Sequence, residues 1–178
     1  EADLAAHECI DKALRGAFPG DGVLSEEGDL RTPPKGWPSR CWQIDPIDGT
    51  NDLVEGRTGY NIHIALVSSD RAVLGLVLHP PSGTSWLGVQ GEAASAPRAA
   101  WRYRVEEGWQ PIEVSRQAQL SAAHALHKKY RRTASDLKRF QALPAARKSE
   151  LASSHKWLFV ADGRADLTLY APFSQNLW

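Results

Sequence analysis

The chain has 178 residues, 42% hydrophobic and 24% charged, a balance typical of a folded domain and not of a disordered segment. Lysine plus arginine and aspartate plus glutamate each total 21, so net charge gives no support to a nucleic acid polymer as partner. Residues 1–56 carry twelve acids against five bases, which suits cations, and residues 98–148 carry twelve bases against four acids, which suits an anionic ligand or a solvated face.

The two cysteines, Cys9 and Cys41, belong to no disulfide or zinc motif, so we expect reduced thiols in a cytoplasmic protein. No apolar run approaches the roughly 20 residues that cross a bilayer, so no membrane partner is expected. The sequence begins with Glu1 and contains no methionine, which predicts a piece of a longer protein.

The first predicted element is an amphipathic helix over residues 1–18, in which apolar residues recur three and four positions apart. The stretch PGDG ends it. A short strand, VLSEE, then runs into two acids, and residues 28–40 form a loop rich in proline and glycine. The next strand is CWQID, and PIDGT is predicted to turn out of it.

A block of strands follows. NIHIALV alternates, with Ile62, Ile64 and Leu66 on one face, and AVLGLVLH is apolar enough for the middle of a sheet. TSWLGVQG and PIEVS are further predicted strands. The helices ASDLKRFQAL and SSHKWLFVADG, the second closed by Gly163, precede a last strand, ADLTLY.

Interspersed helices and antiparallel-looking strands favour a layered α+β fold. We predict one domain over residues 1–178. Its N-terminal, metal-binding α+β part covers residues 1–115, and residues 116–178 begin a C-terminal α/β part.

Carboxylates cluster at the predicted strand ends: Asp3, then Glu26 with Glu27, then Asp45 with Asp48. Carboxylates and main-chain carbonyls are the ligands of hard cations such as Mg²⁺. A turn that presents Asp45, the Ile47 carbonyl and Asp48 on one side could hold two ions, which together can clamp a phosphate. Cation binding would explain why like charges lie so close together.

Ordinary turn chemistry also accounts for Asp-Pro followed by Asp-Gly. The stretch does not alternate its ligands as an EF-hand does. A haloacid-dehalogenase-type phosphatase has one residue between its two acids, whereas Pro46 and Ile47 separate Asp45 from Asp48 here.

WQIDPIDGTNDL resembles the signature of the inositol monophosphatase superfamily. VLSEE is similar to that family's upstream Glu-Glu element, ADLAAH to its earlier Asp element, and ASSHKWLFVADGRADLTLY to its later helix and strand. The resemblance implies a layered helix and sheet sandwich, incomplete at both ends here. It also implies a phosphomonoesterase that binds two or three Mg²⁺ ions in a complete site.

The resemblance assigns roles to individual residues. The implied metal ligands are Glu26, Asp45, the Ile47 carbonyl and Asp48, with Glu27 a less secure partner of Glu26. Thr50, paired with Asp3, is implied to orient or deprotonate the attacking water, and the N–H groups of Gly49 and Thr50 to hold the phosphate. Predicted substrate contacts are Glu26, Ile47, Asp48, Gly49, Thr50, Ser153 and Lys156.

VLSEE and ADLAAH favour the 3'(2'),5'-bisphosphate nucleotidase branch, whose Ser-x-x-Lys is matched by Ser153 and Lys156. Its substrate is a small phosphorylated metabolite, adenosine 3',5'-bisphosphate, hydrolysed to AMP and phosphate. LHKKY stands where that branch often has SRSH, and Tyr170 stands where it has arginine. Two other functions therefore stay open: an inositol-phosphate or sugar-phosphate phosphatase, and a non-catalytic phosphate-binding remnant. A surface role for Lys156 and a homodimer also stay open.

Two sets of residues complete the predictions. His63, His124 and His127 lack the spacing of a metal site and are interpreted as packing or surface residues. Trp178 matches a tryptophan of the family that is followed by an aspartate metal ligand. The resemblance implies that this ligand lies outside this sequence. It also implies that these 178 residues alone have little activity.

Overall fold

The computed structural model describes residues 2–28, 35–91, 93, 97–129, 133–151 and 154–169. The chain forms two compact units that divide after Pro111. Ser153, Tyr170 and Trp178 lie outside the described residues, so the predictions for them stay predictions.

The first unit contains a seven-stranded sheet with the strand order β1-β2-β3-β4-β5-β6-β7. Strand β1 runs parallel to β2, and every other neighbouring pair is antiparallel. The elements are α1 (Ala2–Ala17), β1 (Gly22–Ser25), β2 (Arg40–Asp48), α2 (Thr50–Val54), β3 (Asn61–Ser68), β4 (Arg71–His79), β5 (Thr84–Gln90), β6 (Arg98–Arg104) and β7 (Gly108–Pro111).

The core of this unit lies between α1 and the sheet. Apolar side chains one turn apart on α1, Ile10 and Leu14, pack against buried residues of β1, β2 and β3. Ile64 and Leu66 both join this cluster, which confirms the alternation predicted for β3. Burial of this face fixes α1 and the ends of β1 and β2 relative to one another. The buried members are Val23, Trp42, Ile44 and Leu66.

Strand β2 does not turn at Pro46, as the sequence predicted, but continues to Asp48. Opposite β3, Asp45 pairs with His63 and Asp48 pairs with Asn61. Two residues therefore separate the acids on β2, whereas one separates their partners on β3. This is a β-bulge, which accepts a proline because the regular ladder is already interrupted. The turn begins instead at Gly49, whose φ of 95° is in the left-handed region that glycine favours.

The second unit has a smaller sheet in the order β10-β8-β9, and both strand pairs are parallel. Helices connect these strands and return the chain to the same end of the sheet, as parallel pairing requires. The elements are β8 (His124–Lys128), α3 (Ala134–Ala142), β9 (Arg147–Leu151), α4 (His155–Ala161) and β10 (Leu167–Thr168).

Both helices of the second unit confirm their prediction. Thr133 and Asp136 form a capping box at the start of α3, and Gly163 follows α4 with a φ of 73°. The strand predicted at PIEVS is wrong, because β7 ends at Pro111, residues 112–115 are in no strand and Val114 is exposed. The mixed helix and sheet architecture confirms the α+β prediction.

Within the described part of the chain, no helix combines the length and the apolar character needed to cross a membrane. Cys9 is exposed and Cys41 is buried, and both are free thiols as predicted. Trp42 and Trp86 are buried, whereas Trp109 and Trp157 are about half exposed.

Candidate metal-dependent active site

Glu26 and Asp45 meet where β1 and β2 run side by side. The parallel register places Ser25 opposite Ile44, so the next residue on each strand is an acid. The Glu26 N–H donates to the Ile44 carbonyl at 3.1 Å, which holds Glu26 against β2. The two carboxyl groups then share a side-chain hydrogen bond. A contact between two acids needs a proton between them or a cation beside them.

The bulge brings Asp48 to the same place. In a regular strand, residues three apart point to opposite faces, and one extra residue restores them to the same face. Asp48 is close enough for its negative charge to act on Asp45. The Ile47 N–H donates to the Asp45 carboxylate, and the Ile47 carbonyl accepts the Thr50 hydroxyl at 3.2 Å. That carbonyl thus faces the Thr50 side chain.

The electrostatics of Asp45 reflect this crowding. Burial raises the pKa of Asp45 from 3.8 to about 7, and the negative charges of Asp48 and Glu26 and the Glu26 hydrogen bond act in the same direction. The Ile47 N–H opposes the rise because it stabilises the ionised form. A divalent cation at this position would reverse the balance, since it favours ionised carboxylates.

Two carboxylate oxygens near these elements are buried without a hydrogen-bond partner: Oδ1 of Asp45 and Oδ1 of Asp3. Leaving such an atom unsatisfied costs roughly 1–3 kcal/mol, so it calls for a functional explanation. Within the described residues, no three His, Cys, Asp or Glu side chains already meet at metal-binding distances. The donors nevertheless fit Mg²⁺ chemically, because they are carboxylates and a carbonyl with an oxygen left to coordinate.

The remaining predicted residues have the following positions. Gly49 precedes α2 and Thr50 is its first residue, so their main-chain N–H groups lie at the start of a helix. Glu27 is exposed in the turn after β1. Lys156 is buried on α4, with 8% of its surface exposed, which argues against the surface role left open for it. The roles that the resemblance assigned to these residues stay predictions.

Sequence reasoning missed two residues beside the acids. His63 lies directly opposite Asp45, and its Nε2 atom is 3.6 Å from Oδ2 of Asp48. Burial lowers the pKa of His63, while the charge of Asp48 opposes that shift. Asn61 is fully buried opposite Asp48. The alternation of β3 in the sequence could have pointed to both residues, because its apolar positions face the core whereas Asn61 and His63 face the other side of the sheet.

The other two histidines confirm their interpretation as packing or surface residues. His127 is buried in β8, and its ring stacks on Phe140 with 4.9 Å between centroids. His124 contacts the Arg164 carbonyl and the Ser149 hydroxyl. Both therefore have structural partners within the second unit.

Comparison with known proteins identifies the family of this chain. The model of the inositol monophosphatase family matches residues 1–178. The chain belongs to that family. A curated relative is the 3'(2'),5'-bisphosphate nucleotidase CysQ of Escherichia coli K12, which is 30% identical over 185 residues. That match covers 99% of this chain and 67% of CysQ.

Solved structures of the inositol monophosphatase family share the fold. The IMPase of Thermotoga maritima has a TM-score of 0.72 and 27% identity, and the match covers 95% of this chain and 61% of that one. The inositol monophosphatase of Zymomonas mobilis has a TM-score of 0.70 and 23% identity, with 96% and 62% covered. The chain thus spans about two thirds of the length of these family members.

Proposed function

We propose that this inositol monophosphatase family chain carries the metal site of a Mg²⁺-dependent phosphomonoesterase. The observation that carries the proposal is the buried, unpartnered Oδ1 of Asp45 beside the carboxylates of Glu26 and Asp48. The charges of Asp48 and Glu26 act unfavourably on the partly buried carboxylate of Asp45, and Mg²⁺ is a hard cation that such oxygens bind. The names of the relatives, all phosphatases among those described above, support the same reaction class.

The ligands that we propose for Mg²⁺ are Glu26, Asp45, the Ile47 carbonyl and Asp48. Bound Mg²⁺ would neutralise the phosphoryl oxygens and lower the pKa of a coordinated water. The protein contributes the geometry: the bulge fixes the two aspartates and the carbonyl, and the Glu26 N–H bond fixes the third carboxylate.

The Thr50 hydroxyl and the Asp3 carboxylate are the groups that we propose to orient the attacking water. Thr50 donates its hydrogen to the Ile47 carbonyl, so its lone pairs are left to accept a hydrogen from water. Oδ1 of Asp3 is buried and has no hydrogen-bond partner, so this oxygen could accept the proton of the water. N–H groups of Gly49 and Thr50, where α2 begins, would hold the phosphate.

For the substrate we propose adenosine 3',5'-bisphosphate, hydrolysed to AMP and phosphate. The support is the likeness to CysQ over nearly the whole chain and the burial of Lys156. Inositol 1-phosphate is the second candidate, supported by the 27% identity to the Thermotoga maritima IMPase. The two free cysteines accord with a cytoplasmic enzyme, since reducing compartments keep thiols unpaired.

The test is phosphate release by the natural gene product that carries this sequence, with and without Mg²⁺. We expect turnover of adenosine 3',5'-bisphosphate only with Mg²⁺, and a kcat/KM at least about tenfold above that for inositol 1-phosphate. The reverse preference would establish the second candidate. A third outcome is that the protein binds Mg²⁺ and both ligands tightly but releases no phosphate. That result would identify a non-catalytic phosphate-binding protein and overturn the proposal.

A further inference from the structure

A polar contact joins α1 to the end of β1, next to the proposed metal ligands. Nδ1 of His7 lies 2.8 Å from the hydroxyl oxygen of Ser25, in a partly buried position. Ser25 is 3% exposed and directly precedes Glu26. His7 follows Asp3 by four residues on α1, so the two side chains share a face of the helix one turn apart. The contact therefore connects the helix of Asp3 to the strand of Glu26.

The rest of α1 is held differently. Its apolar contacts to the sheet are made by Ile10 and Leu14, in the C-terminal half of the helix. In the N-terminal half, Leu4 is 51% exposed and does not anchor the helix. The His7 contact therefore adds a polar link between the N-terminal half of α1, which carries Asp3, and the end of β1, beside the core contacts of the other half.

The Glu26 N–H donates to the carbonyl of Ile44, one residue before Asp45, and this bond holds Glu26 against β2. The Ser25–Glu26 segment is therefore fixed to β2 by its main chain and to α1 by a side chain. Loss of the His7–Ser25 contact would release the N-terminal half of α1, which carries Asp3, while Ile10 and Leu14 still hold the other half against the core.

We propose that His7 is a positioning residue for the active site. It sets the place of Asp3 relative to Glu26 and Asp45 through its hydrogen bond with Ser25. The proposal rests on the proposed phosphatase function. Misplacement of a catalytic group by about 1 Å can cost on the order of 100-fold in rate, and loss of groups that support metal ligands typically costs about 10–100-fold in metal affinity or activity.

The test compares His7→Leu with His7→Gln, which restores a hydrogen-bonding group, in the natural gene product. We expect His7→Leu to lower kcat by about tenfold or more while KM changes less than about twofold, and to weaken Mg²⁺ binding, measured by calorimetry with the metal alone. His7→Gln should recover most of both. Glu8→Leu, on an exposed position of the same helix, is the matched control and should change neither.

Ser25→Ala removes the same hydrogen bond from the other side and provides a second measurement if His7→Leu folds poorly. The double variant should be little worse than the worse single variant, because the two side chains act through one contact. Wild-type kcat and Mg²⁺ affinity in both single variants would overturn the proposal. So would equal losses in His7→Leu and His7→Gln.

Asp45→Asn, measured in parallel, separates this inference from the proposed function. Loss of Mg²⁺ binding in Asp45→Asn with no change in His7→Leu would reject the positioning role alone. Unchanged Mg²⁺ binding in Asp45→Asn would reject the metal site itself, and with it both proposals.

Discussion

The side-chain hydroxyl of Thr50 donates a hydrogen bond to the main-chain carbonyl of Ile47, with 3.2 Å between the oxygens. The bond links the first residue of α2 to the bulge of β2. A hydroxyl has one hydrogen, so this bond directs its lone pairs toward any water beside the carbonyl. The Thr50 hydroxyl can therefore accept a hydrogen bond from that water, and a variant without the hydroxyl tests this role.

Thr50→Ala and Asp3→Asn should each lower kcat by about 100-fold or more, with little change in KM, because neither group is proposed to grip the substrate. Thr50→Ser keeps the hydroxyl and serves as the matched control. Steady-state kinetics with saturating Mg²⁺ provide the measurement. Fully additive losses in the double variant would show that the two residues act separately.

Asp45→Asn should lower the phosphatase rate by on the order of 100- to 1,000-fold and abolish high-affinity Mg²⁺ binding. The melting temperature without metal should stay the same or rise, because one of three repelling acids loses its charge. Asp70→Asn is the matched control. Asp70 lies two residues after the end of β3 at Ser68, whereas Asp45 and Asp48 pair with residues at the other end of β3, so wild-type activity is expected.

Lys156→Ala should weaken binding of adenosine 3',5'-bisphosphate by about 10- to 100-fold, the worth of a charge-assisted contact of ~1.5–3 kcal/mol. Inositol 1-phosphate, which lacks the second phosphate, should be affected little. KM values for both substrates provide the measurement, with the exposed Lys138→Ala as control. Equal losses on both substrates would contradict a specific contact between Lys156 and the nucleotide.

Asp166 predicts a pH dependence of stability in the second unit. The His124 N–H and the Ser115 hydroxyl donate to its carboxylate and hold the pKa of Asp166 below the usual value. A depressed folded pKa adds stability above the unfolded pKa of about 3.9, and this stability disappears as the pH falls through the folded value.

Asp166→Asn should therefore lower the melting temperature at pH 7 by a few degrees, and the difference from wild type should shrink below about pH 3. Thermal unfolding followed by circular dichroism across this pH range provides the measurement. Glu113→Gln, which removes an exposed acid of the same unit, should have almost no effect. A difference independent of pH would show that the charge is not responsible.

The elements that sequence predicted well are those whose pattern is local. Helix α1 follows from its apolar spacing, α3 from its capping box and the end of α4 from Gly163. Strands β6 and β7 were missed because their alternation is weak: β6 is rich in arginine, and β7 is mostly exposed. Strands β8 and β9 were missed because their partners are distant in sequence.

The features of the candidate site also divide into those visible in the local sequence and those set by long-range pairing. Glu26, Asp45 and Asp48 were predicted because acids at strand ends are visible in the sequence. Their meeting depends on a parallel register between β1 and β2 and on a bulge, and both are set by pairing between strands. His63 and Asn61 were missed for the same reason, since only the register of β3 places them opposite the acids.

The extra residue of β2 also determines which insertions and deletions this segment can tolerate. Removing Ile47 would leave two aspartates separated by one residue on a regular strand, still on one face. The strand could then continue its regular sheet ladder, and the Thr50 hydroxyl would lose the Ile47 carbonyl as its acceptor. Homologous sequences that keep the chemistry should therefore conserve the spacing of Asp45 and Asp48 more strictly than the identity of the apolar residue at position 47.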